Sequence, residues 1–228
     1  LSALEDLKDS YAEQGVVFFL MNPGMQTDRE AVSNDLISAG AELPVLMDDA
    51  QLVTEALGVT RLDEAVVYSP KSFELIYRGP VGAELEAALQ RTLNGSDGSL
   101  VTIATDGIEI NYTGAGADRI PSYVADVAPV IKENCATCHR EGGIAPFAMD
   151  SKLALQGWSP MIREVVMTKR MPPGQIDNKA SHKMKNEMNL TDAEMQTLVR
   201  WVNAGAPVDG DVDPLVGLQW PETKWVVS

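Results

Sequence analysis

The two cysteines of the chain, Cys135 and Cys138, are separated by two residues and are followed directly by a histidine, His139. Two thiols at this spacing lie on one helical turn, and each can form a thioether with one vinyl group of a haem. The imidazole of the next residue then lies under the iron and supplies an axial nitrogen. The motif predicts one covalently attached haem c, with these three residues as its binding and iron-ligating residues.

The same cysteine pair is also compatible with a redox dithiol or with half of a zinc site. A dithiol of the thioredoxin kind lies at a junction between a strand and a helix, whereas a hydrophobic helix is predicted just before Cys135. A tetrahedral zinc site needs a fourth ligand, and His182 is the one histidine left to provide it. Haem attachment is therefore favoured over both alternatives.

A haem protein that only transfers electrons needs a second axial ligand on the iron. The candidates are the ten methionines and His182. Met171 stands out because the two prolines that follow it restrict the backbone and can hold its thioether in place. Methionines most often fill gaps in a core, and Met161 and Met167 fit that role on an amphipathic helix. The methionines that stay possible are Met149, Met184, Met188 and Met195.

The elements that must position these residues are predicted to be helices joined by long loops. Ser122 is a candidate N-cap for a helix that runs to about residue 134. A helix over 151–169 is expected to be interrupted or kinked near Gly157 and Pro160. A capping box, Thr-x-x-Glu, begins a last helix at 192–204.

The first half of the chain alternates helical and strand patterns, which predicts an α/β sandwich. The apolar run 16–21 is expected to be a strand buried on both faces, and 65–68 and 73–77 are expected to form a hairpin. A second hairpin is predicted over 100–112, because Asp106-Gly107 is a favoured turn pair. The remaining predicted elements are helices at 2–14, 28–39, 49–57 and 82–93 and a strand at 44–47.

The chain has 228 residues, which is enough for two domains. We place the boundary in the Gly-rich stretch 113–118. This gives an α/β domain over 1–117, an all-α domain over 118–210 and a tail or linker over 211–228.

The charge of the chain is distributed unevenly. Residues 1–120 carry 7 basic and 20 acidic side chains, and residues 121–228 carry 11 and 13. This balance argues against a nucleic-acid partner, because contacts to phosphates need clustered Lys and Arg. A local basic run is either a solvated face or a surface for docking and propionate pairing. Its members are Arg163, Lys169, Arg170, Lys179, Lys183 and Lys185.

No apolar stretch reaches the length of about 18 residues that a membrane-spanning helix needs, so we expect no transmembrane segment. Haem is attached to C-x-x-C-H motifs outside the cytoplasm. We therefore expect a periplasmic or otherwise exported protein, whose signal peptide does not form part of this sequence.

From Tyr123 to Pro207 the chain resembles the cytochrome c domain family. The matching phrases are YVADVAPVIKENCATCHREGGIAPF, GWSPMIREVVMTKRMPPG and LTDAEMQTLVRWVNAGAP. The resemblance implies an all-α domain and assigns the methionine of Met-Pro-Pro, Met171, as the distal iron ligand. Family members commonly have an aromatic residue after the two prolines. Gly174 occupies that position here, so we expect a more open haem edge.

Residues 1–95 resemble the redoxin, or thioredoxin-like, domain in the phrases EQGVVFFLMN and LGVTRLDEAVVYSPKSFELIYRG. Two departures predict a truncated or degenerate domain without thiol chemistry. The first strand and its cysteine-containing turn lie upstream of Leu1 or are absent, and Leu62-Asp63 replaces the usual Thr-Pro. Proteins of this architecture can continue into a copper-dependent monooxygenase domain, and residues 211–228 would then begin the linker to it.

These patterns together predict an exported monohaem cytochrome that transfers single electrons, with the thioredoxin-like domain as a scaffold or partner platform. The expected partner is a redox protein or a downstream domain of a longer chain. The chain is expected to be an electron-transfer protein rather than a stand-alone enzyme. Two alternatives are a haem-linked thiol oxidoreductase or peroxidase and a haem-based gas sensor. The first needs spare cysteines or an open iron site, and carbon monoxide binding to the reduced protein would separate the second from a six-coordinate carrier.

Overall fold

The computed structural model describes residues 2–96, 98–175 and 188–220. In it the chain divides into two compact units, residues 1–112 and residues 113–228. None of the helices in the described ranges is long and apolar enough to cross a membrane.

Over residues 2–96 and 98–112, the first unit combines four helices with five short strands. The helices are α1 (Ser2–Tyr11), α2 (Arg29–Ser38), α3 (Leu52–Ala56) and α4 (Ala83–Leu93), and a 3₁₀ turn (Ala12–Gln14) follows α1. The strands are β1 (Leu20–Asn22), β2 (Val45–Met47), β3 (Ala65–Ser69), β4 (Glu74–Gly79) and β5 (Val101–Thr102).

The strands belong to two sheets. Strand β1 pairs with β2 in parallel, with α2 between them along the chain, as the sequence predicts. Strand β3 pairs with β4 in antiparallel fashion, which confirms the predicted first hairpin, and β5 joins β4 in parallel. The core of this unit lies between α1, α4 and the β3–β4 pair, where Ile76, Tyr77 and Ala88 have no exposed surface.

The predicted hairpin over 100–112 is wrong. Its first half forms β5 and pairs with β4, while its second half pairs with residues 60–62. The backbone amide of Leu62 donates to the carbonyl of Ile108 (2.9 Å), and that of Ile110 donates to the carbonyl of Thr60 (2.8 Å). Long-range pairing has therefore overridden the local turn signal. A Cβ on Gly107 would lie 1.7 Å from Oδ1 of Asp63, so a larger residue at 107 would displace the side chain of Asp63.

The apolar run 16–21 is not a strand buried on both faces. Regular strand structure is confined to Leu20–Asn22, and the side chains of Val17 and Phe19 are 71% and 54% exposed. Burial on both faces requires covering layers above and below the sheet. The two-stranded β1–β2 sheet does not supply those layers to the start of this run.

The second unit is helical, and the two predicted caps, Ser122 and Thr191, are confirmed. A π-helical turn (Tyr123–Val127) leads into α5 (Ala128–Asn134), followed by α6 (Lys152–Met167) and α7 (Asp192–Asn203). The hydroxyl of Ser122 accepts a hydrogen bond from the amide of Ala125, and Thr191 and Glu194 form the predicted capping box. Among the described residues, the side chains of this unit with no exposed surface include Tyr123, Val127, Ile131, Leu155, Leu198 and Trp201.

Helix α6 runs without a break through Pro160, so the helix is not interrupted there, while the alternative of a kink near Gly157 and Pro160 stays a prediction. Proline has no amide hydrogen, and it therefore leaves the carbonyl four residues before it without its helical partner. That carbonyl belongs to Gln156, and the hydroxyl of Ser159 donates to it at 2.9 Å. A side-chain donor thus replaces the missing amide within the same turn.

The Gly-rich stretch at the start of the second unit is held against α7. The guanidinium of Arg200 donates to the carbonyls of Thr113 and Ala115, both at 3.0 Å, and Oε1 of Gln196 accepts from the amide of Ala115 at 2.9 Å. A Cβ on Gly114 would lie 2.1 Å from that same Oε1. The backbone of Gly114 is left-handed (φ +88°), so glycine is strongly favoured here, and a larger residue would also displace the side chain of Gln196.

The segment after α7 also packs on this unit. Oδ1 of Asp213 accepts a hydrogen bond from the hydroxyl of Tyr123 at 2.5 Å, and Oδ2 accepts from the amide of Lys152 at 2.6 Å. Leu215 is 1% exposed. Asp213 therefore joins the start of α6 to the turn before α5.

We expect the stability of the second unit to fall in acid partly through Asp213. Burial raises the pKa of this carboxyl, but hydrogen bonds from Tyr123, Lys152 and Leu215 outweigh burial and hold the pKa below its ordinary value. A carboxyl whose pKa is lowered in the folded state stabilises the fold fully at pH values above its unfolded pKa of about 3.9. That stabilisation is lost as the pH falls through the folded-state pKa.

Asp213→Asn should therefore lower the free energy of unfolding at neutral pH by about 1–3 kcal/mol and flatten its dependence on pH below about 4. Urea titrations at several pH values test this, with the exposed Asp211 as the matched control. An Asp211→Asn variant that loses as much stability as Asp213→Asn would contradict the expectation.

Candidate haem site

The predicted attachment residues lie on the turn that leaves the C-terminal end of α5. The amide of Cys135 donates to the carbonyl of Ile131 (2.9 Å), and the amide of His139 donates to the carbonyl of Cys135 (2.9 Å). Helix α5 is in turn fixed to α7, because Nδ2 of Asn134 donates to Oε1 of Glu194 at 2.9 Å. Local helical geometry thus brings both thiols and the imidazole into one turn.

His139 is buried, with 8% of its surface exposed. Its Nδ1 lies 3.1 Å from the backbone carbonyl oxygen of Phe147. A carbonyl oxygen can only accept, so this contact assigns the proton to Nδ1 and leaves the lone pair on Nε2. Histidines that bind a metal have this arrangement, in which the second nitrogen donates to a carbonyl and fixes the orientation of the ring.

The loop that carries Phe147 is anchored to the attachment turn at two points. The amide of Ala145 donates to the carbonyl of Cys138 (3.1 Å), and the amide of Met149 donates to the carbonyl of His139 (2.8 Å). Gly143 permits this return, since a Cβ there would lie 2.4 Å from the carbonyl oxygen of Cys138. The loop therefore holds the acceptor for Nδ1 beside the histidine.

Three aromatic rings follow one another from the attachment turn to α6: the ring of Phe147 is tilted by 50° against that of His139 and is stacked on that of Trp158. The ring centroids of His139 and Phe147 are 4.6 Å apart, and those of Phe147 and Trp158 are 4.2 Å apart with an angle of 19° between the planes. The sequence did not identify Phe147 or Trp158 as part of the site. Both residues stand in the phrases that resemble the cytochrome c family, but nothing in the sequence indicated that the loop and the following helix bring their rings together.

The domain that holds this turn can be assigned from a comparison with known families. A scan against family models matches cytochrome c over residues 124–205. These residues form a cytochrome c domain. The family match implies covalently bound haem c and a role in electron transfer. Searches of curated proteins and of solved structures returned no match.

The residues of the cytochrome c domain fit this cofactor. Cys135 and Cys138 are both free thiols, and Nε2 of His139 is left available by the contact at Nδ1. Two large apolar side chains, one in the loop after the attachment turn and one in the segment after α6, are exposed and available to a further apolar group. They are Ile144 at 81% and Met171 at 41%.

The alternative assignments of the cysteine pair receive less support. Burial, with smaller contributions from Glu194 and Cys138, raises the pKa of Cys135 to about 12. A thiol with so high a pKa is a poor nucleophile at neutral pH, which argues against a redox dithiol. The zinc alternative depends on His182, which lies outside the described residues. Within the described ranges, no cluster of three or more His, Cys, Asp or Glu side chains could hold a metal ion.

Met171 lies in the segment that follows α6, and its backbone is held from both sides. Its amide donates to the carbonyl of Val165 (3.2 Å), and its carbonyl accepts from Nε2 of Gln175 (2.6 Å). These hydrogen bonds fix the backbone but do not join Met171 to the attachment turn. Its side chain is 41% exposed, so the sulfur is not committed to the protein core.

The other candidate ligands fall into three groups. Met149 and Met195 are buried, with 6% and 7% of their surface exposed, as gap-filling residues are. Met188 is 39% exposed. Met161 is 47% exposed, so the prediction that Met161 fills a gap in the core is wrong. The remaining two candidate ligands, His182 and Met184, lie outside the described ranges.

The basic run is partly engaged with the protein itself. Nε of Arg163 donates to Oδ1 of Asn203 at 2.7 Å. The guanidinium of Arg170 pairs with Glu164 and donates to the hydroxyl of Thr168. These contacts favour a structural role for both arginines over pairing with a haem propionate. The lysines at 179, 183 and 185 lie outside the described residues.

Proposed function

We propose that this chain is an exported monohaem c-type cytochrome that carries single electrons, and that Cys135, Cys138, His139 and Met171 bind its haem. When bound, haem iron supplies a couple between two oxidation states that differ by one electron. The observation that carries the proposal is the hydrogen bond from Nδ1 of His139 to Phe147. It prepares Nε2 of the histidine next to the two thiols for an axial role.

The expression compartment and the redox behaviour test this proposal together. We expect the chain to acquire covalent haem when it is expressed with an export signal in a host with cytochrome c maturation, but not without that signal. The purified protein should contain one haem per chain and titrate as a single one-electron couple. A chain that reaches the periplasm and stays free of haem would contradict the proposal.

For the first unit we propose a degenerate thioredoxin-like scaffold that serves as a platform for a redox partner. The parallel β1–α2–β2 arrangement, the β3–β4 hairpin and the following helix α4 support this assignment. Residues 1–112 contain no cysteine. The scaffold as given therefore has no thiolate for disulfide exchange.

The chain should show no dithiol activity in an insulin-reduction assay. Both of its thiols belong to the haem site, so none remains to attack a disulfide. The rate with dithiothreitol should equal the blank, whereas authentic thioredoxin in the same buffer should reduce insulin. A rate above the blank would overturn the assignment of the first unit as redox-inactive.

A further inference from the structure

The stack of aromatic rings connects a rigid helix to the hydrogen bond of the histidine. Phe147 contributes both parts of this connection. Its backbone carbonyl accepts from Nδ1 of His139 at 3.1 Å, and its ring lies between the rings of His139 and Trp158. A displacement of Phe147 that moves its backbone carbonyl would therefore change the contact at Nδ1.

Trp158 lies on the outer face of α6, with 36% of its surface exposed, and the helix that carries it is well packed. Leu155, Ile162 and Val166 of this helix are 0%, 4% and 4% exposed, so the helix is fixed in the core of the domain. The loop between the attachment turn and α6 is anchored at Ala145 and Met149 by backbone hydrogen bonds. Phe147 lies between these anchors, and the nearly parallel stack on Trp158 holds it from the side.

We propose that Trp158 is a positioning residue for His139: it holds Phe147 so that the carbonyl of Phe147 keeps its hydrogen bond to Nδ1, and it thereby sets the reduction potential of the haem. This inference rests on the proposed function. A hydrogen bond at Nδ1 makes the imidazole a better electron donor and stabilises the oxidised iron. Weakening that bond therefore raises the potential.

The direction in which the haem potential changes when Trp158 is replaced distinguishes a positioning role from a role that only shields the site from water. If Trp158 served only to exclude water, its removal would admit water and stabilise the more highly charged oxidised form. The potential would then fall. A positioning role predicts a rise in potential, together with faster exchange of the Nδ1 proton with solvent.

The experiment compares haem-loaded variants of the full chain by potentiometry and by NMR of the reduced protein. Trp158→Leu should raise the midpoint potential and speed exchange of the His139 Nδ1 proton by roughly three- to tenfold, as expected for partial loss of one hydrogen bond. Trp158→Phe keeps an aromatic stack and should stay close to the wild type. Leu153→Ala alters an exposed side chain (77%) of the same helix and should change neither property.

A second variant covers the case in which Trp158→Leu does not fold. Phe147→Leu keeps the backbone carbonyl but removes the ring, and it should give the same two changes. The double variant should show no more than the larger single effect, because both residues act through one contact. An unchanged or lowered potential in haem-loaded Trp158→Leu or Phe147→Leu would overturn this inference. A wild-type chain without haem would instead overturn the proposed function.

Discussion

Replacing Cys135 and Cys138 together by alanine is expected to abolish covalent haem and to leave the cytochrome c domain poorly folded. Both thioethers disappear with the thiols, so denaturing gels stained for haem should show no band at the mass of the chain. The matched domain spans residues 124–205, and a cofactor that binds only the folded state adds a large share of the stability of a domain of that size. We therefore expect loss of the haem to destabilise the packing of its helices.

The first unit provides an internal control for this variant. It has its own core between α1, α4 and the β3–β4 pair, so we expect a protease-resistant fragment close to residues 1–112. Each single cysteine variant should keep one thioether and still stain for haem, with a shifted pyridine haemochrome spectrum. A double variant that keeps haem through a denaturing gel would contradict the assignment of both cysteines.

Replacing Met171 by alanine is expected to open the sixth coordination position of the iron. The oxidised protein should lose the sulfur-to-iron charge-transfer band at the red end of its visible spectrum, and the reduced protein should bind carbon monoxide. The midpoint potential should fall by on the order of 0.1 V, because axial ligands tune haem potentials over roughly 0.8 V. Optical titrations with and without carbon monoxide measure all three properties.

Met161 offers a matched control, since its side chain is exposed to a similar extent, 47% against 41% for Met171. Met161→Ala and His182→Ala should leave all three properties intact. If His182→Ala alone opens the iron and Met171→Ala has no effect, the site is bis-histidine and the expected high potential is wrong. Carbon monoxide binding to the wild-type reduced protein would instead favour a gas-sensing site or an open peroxidase site.

The sequence by itself determined the features that depend on neighbouring residues. The spacing of Cys135, Cys138 and His139 is a property of a single turn. The caps at Ser122 and Thr191 use side chains that reach amides three residues away. The β3–β4 hairpin closes over a short connection. In each case the interacting groups are close along the chain, so the residue types alone fix the geometry.

Only the tertiary structure decided the features that depend on distant partners. Residues 100–112 contain a strong turn pair, yet their two halves pair with β4 and with residues 60–62 instead of with each other. The support of His139 by Phe147 and Trp158 joins a loop to the following helix, and Asp213 connects three separate segments. The residue types limit which contacts a side chain can make. The packing of the whole unit decides which of those contacts form, and in residues 100–112 long-range strand pairing outweighs the local turn preference.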